Sequence, residues 1–184
     1  MRVISGTARS IVLTTPKGMD TRPTTDKYKE TLFNCLQSYL CECVFVDLYA
    51  GSGAIGIEAL SRGASKAYFV DNSTDANKCI QENLKKTHLD DKAVIYKEDA
   101  LFFLNNRLKE VPDIIFIDPP FAKHLENKAI PALHDKNLIG EDTIIVVECD
   151  YDADFAFLDE LGLEIFKTKD YKTNRHVFIC KKSE

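Results

Sequence analysis

The sequence predicts an α/β fold, in which a doubly wound, mostly parallel sheet of seven strands ends in an antiparallel hairpin. Three observations predict it. Between residues 44 and 149, short runs rich in β-branched and aromatic residues alternate with amphipathic stretches of helical length. These runs are apolar throughout, as strands are when helical crossovers cover both faces of a parallel sheet. Two further runs near the C-terminus lie close together across a short polar turn, which indicates an antiparallel pair.

The chain of 184 residues is long enough for one sizeable core with a small addition. We expect an N-terminal extension over residues 1–40, followed by a ligand-binding domain over residues 41–184. No apolar run approaches the ~20 residues of a membrane span, and the N-terminus lacks the apolar core of a signal peptide. The six cysteines and four histidines show no metal-ligand spacing. We therefore expect a cytoplasmic monomer with no metal and no membrane partner.

The N-terminal extension is predicted to contain a β-hairpin and a helix. RVISGTA and SIVLTTP alternate in polarity and meet near Ala8-Arg9, where the hairpin is expected to turn. A helix follows, with Tyr28, Leu32 and Leu36 on one face.

In the larger domain, the strands before the terminal pair are predicted at 44–47, 66–71, 93–97, 113–118 and 143–149. The helices are predicted at 53–63, 73–86, 99–109, 123–136 and about 152–161. The terminal hairpin pairs LEIFKTK with RHVFICK. A sheet that ends in this way differs from the one expected of a dehydrogenase.

The first of these strands leads into a glycine-rich loop. Gly51-x-Gly53-x-x-Gly56 satisfies the dinucleotide fingerprint, and Asp71 follows Gly51 by twenty residues at the end of the next strand. Glycines let the backbone approach a ligand closely, and an acid at the second strand end can bind both hydroxyls of a ribose. The pattern indicates an adenosine-bearing cofactor. The alternative is a glycine turn that serves packing alone.

Acidic residues around this loop indicate which cofactor binds. Asp47 precedes the glycines, where it would repel a pyrophosphate but could accept from a cationic amino group. Asp99 ends the third strand, where it could accept from an adenine amine or could instead cap the next helix. Asp71 could also act as a cap, although Ser73 is better placed to do so. An acidic pocket suits S-adenosyl-L-methionine, which carries a sulfonium, an ammonium and no phosphate, and it suits NAD poorly.

We therefore predict S-adenosyl-L-methionine as the cofactor. Its predicted binding residues are Asp47, Tyr49, Ala50, Gly51, Ser52, Gly53, Asp71, Asn72, Asp99, Ala100 and Asp118.

The fourth strand runs into Asp118-Pro119-Pro120-Phe121. Two prolines fix two φ angles and remove two donors, which makes this loop stiff and rich in acceptors. If the fourth strand lies beside the first, the loop faces the methyl group of the cofactor. The Asp118 carboxylate and the Pro119 carbonyl could then orient the amine of a planar base, on which Phe121 would stack. The alternative is a rigid loop that merely ends a strand.

These motifs carry a family resemblance. DLYAGSGAIGIEALSRGA and DPPF resemble the class I S-adenosylmethionine-dependent methyltransferases, which have a Rossmann-like fold. RVISGTARS and TPKGMDTRPTTDKYKETLFNCL resemble the RsmD family in particular, and the resemblance spans nearly the whole chain. Near the C-terminus, only Tyr171 and Phe178 keep their places in the family pattern Y-G-x-T-x-L-x-F.

The resemblance implies a function. It implies methylation of the exocyclic N2 amine of one guanine, guanine-966, in 16S ribosomal RNA, either free or in a small-subunit assembly particle. Asp118, Pro119 and Phe121 would be the catalytic residues.

Charge is unevenly distributed along the chain, whose net charge is −5. Residues 1–30 carry six basic and three acidic residues, residues 165–182 carry six and one, and residues 31–164 carry twelve and twenty-four. The asymmetry suggests a polyanion partner at the two ends, but charge alone favours the simpler interpretation that they are solvated faces of a globular protein. The resemblance gives them a role in RNA binding, for which the candidates are Arg2, Arg9, Lys17, Arg22, Lys27, Lys172 and Arg175.

Three other functions are weighed against this one. A nucleic-acid adenine-N6 methyltransferase normally needs a separate base-reading domain, for which 184 residues leave little room. An NAD-dependent oxidoreductase would leave Asp47 and the Asp118 loop without a role. An RNA-binding assembly factor with a vestigial pocket would not need Asp47, Asp71 and Asp118 together.

Overall fold

A computed structural model describes residues 1–16, 26–120 and 123–182. Three of the predicted site residues, Lys17, Arg22 and Phe121, lie outside these ranges. None of the helices within them is long and apolar enough to cross a membrane.

The described residues form seven strands and five α-helices. The strands are β1 (Val44–Leu48), β2 (Lys66–Val70), β3 (Ala93–Tyr96), β4 (Ile114–Ile117), β5 (Ile144–Cys149), β6 (Leu163–Asp170) and β7 (Arg175–Lys181). The helices are α1 (Asp26–Leu36), α2 (Ala54–Ser61), α3 (Thr74–Thr87), α4 (Ala100–Asn106) and α5 (Glu126–Asp135). Each predicted strand is present within one residue of its expected bounds.

The strands form one sheet in the order β3-β2-β1-β4-β5-β7-β6. β1 to β5 are parallel, and β7 runs antiparallel to both β5 and β6. The predicted doubly wound sheet with a terminal hairpin is therefore confirmed. The strand order reverses between β1 and β4, and in such sheets ligands bind beyond the carboxyl ends of the strands at this point.

Two expectations differ in kind from the structure, and two helices are shorter than expected, since α4 ends three residues earlier and α5 begins three residues later. The helix predicted at about 152–161 is a short 3-10 helix over Ala156–Leu161. Its start is delayed because the Asp154 carboxylate accepts from the Ala156 N–H, and Gly162 ends it at φ 66°. The N-terminal hairpin is paired as predicted, but as a single antiparallel bridge between Arg2 and Val12 rather than as regular strands.

Apolar residues cover the sheet on both faces. On one face, α1, α2 and α3 pack with Phe116 and Phe178 of the sheet. On the other face, α4 and α5 pack with Ile115 and Ile145. The N-terminal residue Val3 belongs to the first of these clusters, so the extension and the sheet share one core.

The N-terminal hairpin is held against the C-terminal end of α2. Gly6 has φ 84°, and a Cβ at this position would lie 1.6 Å from the Ser61 carbonyl oxygen. The Ser61 hydroxyl accepts from the Ala8 N–H at 2.9 Å and donates to the Ser5 carbonyl at 2.6 Å. Only glycine permits this close approach, which fixes the hairpin to the domain.

A buried ion pair joins the extension to α2 a second time. Lys29 of α1 and Glu58 of α2 are both fully buried, with Nζ and Oε2 separated by 3.0 Å. Lys29 also donates to the Arg2 carbonyl at 2.6 Å, and Glu58 accepts from the backbone N–H groups of Ile4 and Ser5. Each buried charge therefore has several partners, as burial requires.

Candidate active site

The glycine loop between β1 and α2 has the close-packed geometry that its sequence indicates. Gly51 and Gly53 have φ values of 55° and 76°, and Tyr49 is also left-handed at 64°. A Cβ on Gly56 would lie 2.4 Å from the Phe69 ring, so this glycine is required for α2 to pack on β2. A Cβ on Gly51 would meet only the Tyr49 carbonyl, at 4.0 Å. The loop backbone at Gly51 is thus open to a ligand.

Asp71 fastens the loop to the next strand end. Its two carboxylate oxygens accept from the Gly51 N–H at 2.9 Å and from the Ser73 N–H at 2.8 Å. Ser73, not Asp71, is the N-cap of α3, since its hydroxyl accepts from the Ala76 N–H. Each Asp71 oxygen has a second acceptor position, so the carboxylate can hold the loop and still accept from two ligand hydroxyls.

Asp47 lies almost fully buried beneath the loop. Its carboxylate accepts from the Gly56 N–H at 2.9 Å, near the start of α2. Burial, together with the nearby Asp71 charge, raises the pKa of Asp47 to about 7, although the Gly56 hydrogen bond acts in the opposite direction. Within the described residues, Asp47, Asp71 and Asp118 form no ion pair with a Lys or Arg side chain.

Asp118 lies where the sequence analysis requires it, because β4 is the neighbour of β1. Its carboxyl group is surrounded by other acids. Burial raises the pKa of Asp118 well above its ordinary value, and the charges of Glu148 and Asp47 raise it further. We call Asp47, Asp118 and Glu148 the carboxylate row, because they lie on three adjacent strands or just past their ends.

A polar cluster that the sequence analysis missed adjoins this row. Glu148 accepts from the Asn174 side chain at 2.5 Å, and its other oxygen lies 3.4 Å from the His176 Nε2. Asn174 also donates to the Tyr28 hydroxyl of α1 at 2.7 Å. The Tyr28 ring lies 4.0 Å from the Tyr171 ring, centroid to centroid. We call Tyr28, Asn174, His176 and Tyr171 the polar cluster.

One signal in the sequence could have revealed Glu148. It follows the apolar residues of β5 just as Asp118 follows those of β4, and parallel strands place such residues at one edge of the sheet. The partners of Glu148 come from α1 and from the segment around β7, which no local pattern connects.

The remaining predicted cofactor residues lie along the same edge. The Asp99 carboxylate caps α4 by accepting from the Leu101 and Phe102 N–H groups. The cap that the sequence allowed is therefore present, and the second oxygen of this exposed carboxylate accepts no hydrogen bond from the described residues. Asn72 is exposed and Ala100 is buried. Ser52 is half-buried in the loop, and its carbonyl accepts from Asn83.

The predicted RNA-binding cations lie at two different edges of the sheet. Arg2 pairs with Asp26 at the start of α1, at 2.7 Å, and the exposed Lys27 precedes Tyr28 of the polar cluster in the same helix. Lys172 is exposed in the turn between β6 and β7, next to the same cluster. Arg175 is half-buried and directed at the Ala153 carbonyl, 3.3 Å away.

Arg9 lies elsewhere. It is exposed in the hairpin turn, which binds Ser61 at the C-terminal end of α2. Since the glycine loop is at the other end of α2, a helix of eight residues, Arg9 lies roughly 10 Å or more away from that loop.

The described residues contain no group of three or more His, Cys, Asp or Glu side chains arranged to hold a metal ion. Among the described residues, the carboxylate row is instead a site with an excess of negative charge next to the glycine loop. Such a site favours a positively charged ligand and disfavours a pyrophosphate.

Comparison with known proteins is consistent with this geometry. The model of a family described as conserved hypothetical protein 95 matches residues 1–180. The YlbH protein of Bacillus subtilis is 38% identical over 156 residues, which cover 84% of this chain and 85% of that protein. Ribosomal RNA small subunit methyltransferase D of Escherichia coli is 35% identical over 149 residues, which cover 80% of this chain and 74% of that protein. The solved structure of yhhF from Escherichia coli is similar with a TM-score of 0.88 at 29% identity, and covers 100% of this chain and 99% of that one.

Proposed function

The chain belongs to the RsmD family of class I methyltransferases, and from that premise we propose that it methylates ribosomal RNA. In detail, we propose transfer of a methyl group from S-adenosyl-L-methionine to the exocyclic N2 amine of a guanine in 16S ribosomal RNA, at guanine-966. The relatives named above support the substrate class, and the site supports the chemistry.

The observation that carries the proposal is the carboxylate row. Asp118 lies beside Asp47 and Glu148, whose charges add to the effect of burial in raising its pKa. No Lys or Arg side chain of the described residues forms an ion pair with it. A cationic methyl donor would supply the missing charge, whereas a pyrophosphate would add to the repulsion. When bound, this donor supplies a methyl group on a sulfonium, whose sulfur leaves as a neutral thioether.

The residues of the chain would hold the two reactants. Gly51 and Asp71 would bind the adenosine part of the cofactor through the open loop backbone and the free acceptor positions of the carboxylate. Asp118 and the Pro119 carbonyl would each accept from one N–H of the target amine. These two bonds would favour a pyramidal nitrogen with its lone pair directed at the methyl carbon. The proton released from the amine would pass to Asp118 or through it to water.

The RNA would approach along the start of α1 and the turn between β6 and β7. Arg2, Lys27 and Lys172 lie there and could contact phosphates, which would position the strand while the Asp118 loop holds the target amine. Phe121 and the cations Lys17 and Arg22 remain proposals on sequence grounds. An RNA long enough to span both edges of the sheet would also contact Arg9.

The test is methyl transfer from labelled cofactor to ribosomal RNA, followed by nucleoside analysis. Wild-type protein should yield N2-methylguanosine, and Asp118→Ala should lower the rate by ~100-fold or more, as loss of one preorganised polar group does elsewhere. The affinity of Asp118→Ala for S-adenosylhomocysteine, which lacks the sulfonium charge, should differ from that of the wild type far less than its rate does. The activity of the wild type should fall as the pH drops through the raised pKa of Asp118. Only the ionised carboxylate can accept a hydrogen bond from the amine and then take up the proton that the amine releases.

Two results would contradict the proposal. Methyl groups found only on adenine N6 would favour the adenine methyltransferase, which shares the Asp118 loop. Tight binding of NADH without binding of S-adenosylhomocysteine would favour an oxidoreductase.

A further inference from the structure

Glu148 stands beside Asp118 at the carboxyl edge of the sheet. Ile117 and Val147 are register partners, so Asp118 and Glu148 follow them at corresponding positions of adjacent parallel strands. The backbones of such strands lie about 4.8 Å apart. Glu148 and the prolines of the Asp118 loop, Pro119 and Pro120, line one cleft. Asp118 is not one of the residues that line this cleft, but the strand spacing puts a ligand group held by Asp118 within reach of Glu148.

The polar cluster fixes the Glu148 carboxylate in place. Asn174 donates to one oxygen at 2.5 Å, and the fully buried His176 lies 3.4 Å from the other. The phenol of Tyr28 also interacts with Glu148, whose charge and hydrogen bond add to the effect of burial in raising the pKa of Tyr28. A carboxylate has about four acceptor positions, so these contacts orient the group and leave capacity for a ligand donor.

The bases that carry an exocyclic amine differ at the neighbouring ring nitrogen. In guanine, the N2 amine lies beside N1–H, which is a donor. In adenine and cytosine, the ring nitrogen beside the amine is an acceptor. It would face the Glu148 carboxylate, which is also an acceptor, and the two would repel each other. Two adjacent carboxylates thus match the two adjacent donors of guanine and mismatch the other bases.

We propose that Glu148 is a specificity-determining residue, which accepts a hydrogen bond from N1–H of guanine while Asp118 holds the N2 amine. This inference rests on the proposed function and extends it, since it assigns the choice of base to a residue outside the glycine and Asp118 loops. Asn174 and His176 act as positioning residues, because they orient Glu148 without contacting the base.

The test uses RNA that the wild-type protein methylates, remade with 2-aminopurine in place of the target guanine. This base keeps the amine but presents an acceptor at N1. Wild-type protein should methylate it about 10- to 100-fold more slowly than guanine, the discrimination expected from one well-placed pair of contacts. Glu148→Gln should narrow the ratio to within about 3-fold, because its amide can donate to the N1 acceptor while its oxygen still accepts from Asn174. 2-Aminopurine also lacks the O6 of guanine, but this difference affects both proteins alike. The change in the guanine to 2-aminopurine ratio between the wild type and Glu148→Gln therefore reports the contact at N1.

Glu126→Gln is the matched control. Glu126 lines the same cleft from α5, and its substitution should leave the ratio unchanged. A ratio in Glu148→Gln equal to that of the wild type would overturn the inference, provided that its melting temperature matches that of the wild type. Failure of the proposed function would look different, because the wild type would then form no N2-methylguanosine in the unsubstituted RNA. That outcome would overturn the inference as well.

Discussion

Replacement of Asp47 by asparagine should stabilise the ligand-free protein, and more so at alkaline than at acidic pH. The asparagine side chain keeps an oxygen that can accept from the Gly56 N–H, as Asp47 does now at 2.9 Å. It removes a carboxyl group that is 2% exposed and lies near Asp71. The substitution therefore removes an electrostatic cost while it preserves the local hydrogen bond.

The magnitude follows from the pKa of Asp47, which is about 7 in the fold against an ordinary value of 3.8. A group with a raised pKa binds its proton more tightly in the folded state, so its contribution to stability is greatest at low pH and is lost as the pH rises towards 7. At 1.36 kcal/mol for each pH unit, the full difference is about 4 kcal/mol. Linkage places about 2–3 kcal/mol of this between about pH 5 and about pH 8.

Urea unfolding of both proteins at these two pH values measures the effect. The free-energy advantage of Asp47→Asn should grow by about 2–3 kcal/mol from the lower to the higher pH. Asp113→Asn is the matched control, since Asp113 also accepts a backbone N–H, from Val44, but is exposed. An advantage of Asp47→Asn that does not change with pH would refute the reasoning, because Asp47 would then carry no buried charge.

Two further predictions concern lysine side chains, one of them buried and two exposed. Lys29→Met should lower the free energy of unfolding by about 3 kcal/mol, because it leaves part of the Glu58 charge uncompensated in the core. Lys27→Met, at an exposed neighbouring position, should change the free energy of unfolding little. Equal stabilities of the two variants in urea would contradict this prediction. Lys27→Gln combined with Lys172→Gln should reduce the log–log salt dependence of RNA binding by up to about two units. Arg9→Gln, at the opposite edge of the sheet, should reduce the salt dependence of binding to a short RNA less than the double variant does. A larger reduction for Arg9→Gln than for the double variant would place the RNA path along the hairpin turn.

The sequence predicted the sheet well because its strands carry their own signal. A run such as Ile114–Ile117 is apolar throughout. Gly51 and Gly53 adopt the left-handed conformation that favours glycine, and Gly56 leaves no room for a Cβ against Phe69. The same local logic located Asp71 and Asp118, which end buried strands.

The residues that were missed depend on long-range contacts. Nothing near Glu148 in the sequence indicates that Asn174 and His176 surround it, because β7 reaches β5 only through the folded sheet. The position of Arg9 was not predictable either, since a charge count does not show which end of α2 the hairpin contacts. The short 3-10 helix at Ala156–Leu161 shows the limit of periodicity, because an aspartate side chain competed locally for the backbone donor.

The hydrogen bond between Asn174 and Tyr28 joins residues 146 positions apart. During synthesis, the segment that contains Tyr28 leaves the ribosome long before β7 exists. The carboxylate row could begin to form once β5 has emerged, but Glu148 would lack both of its β7-side partners until the last strand inserts between β5 and β6. Non-local contacts of this kind form late in folding. A nascent or truncated chain would therefore bring acids together without the groups that orient them. If Glu148 selects the base as proposed, base selection would be the last property that the growing protein acquires.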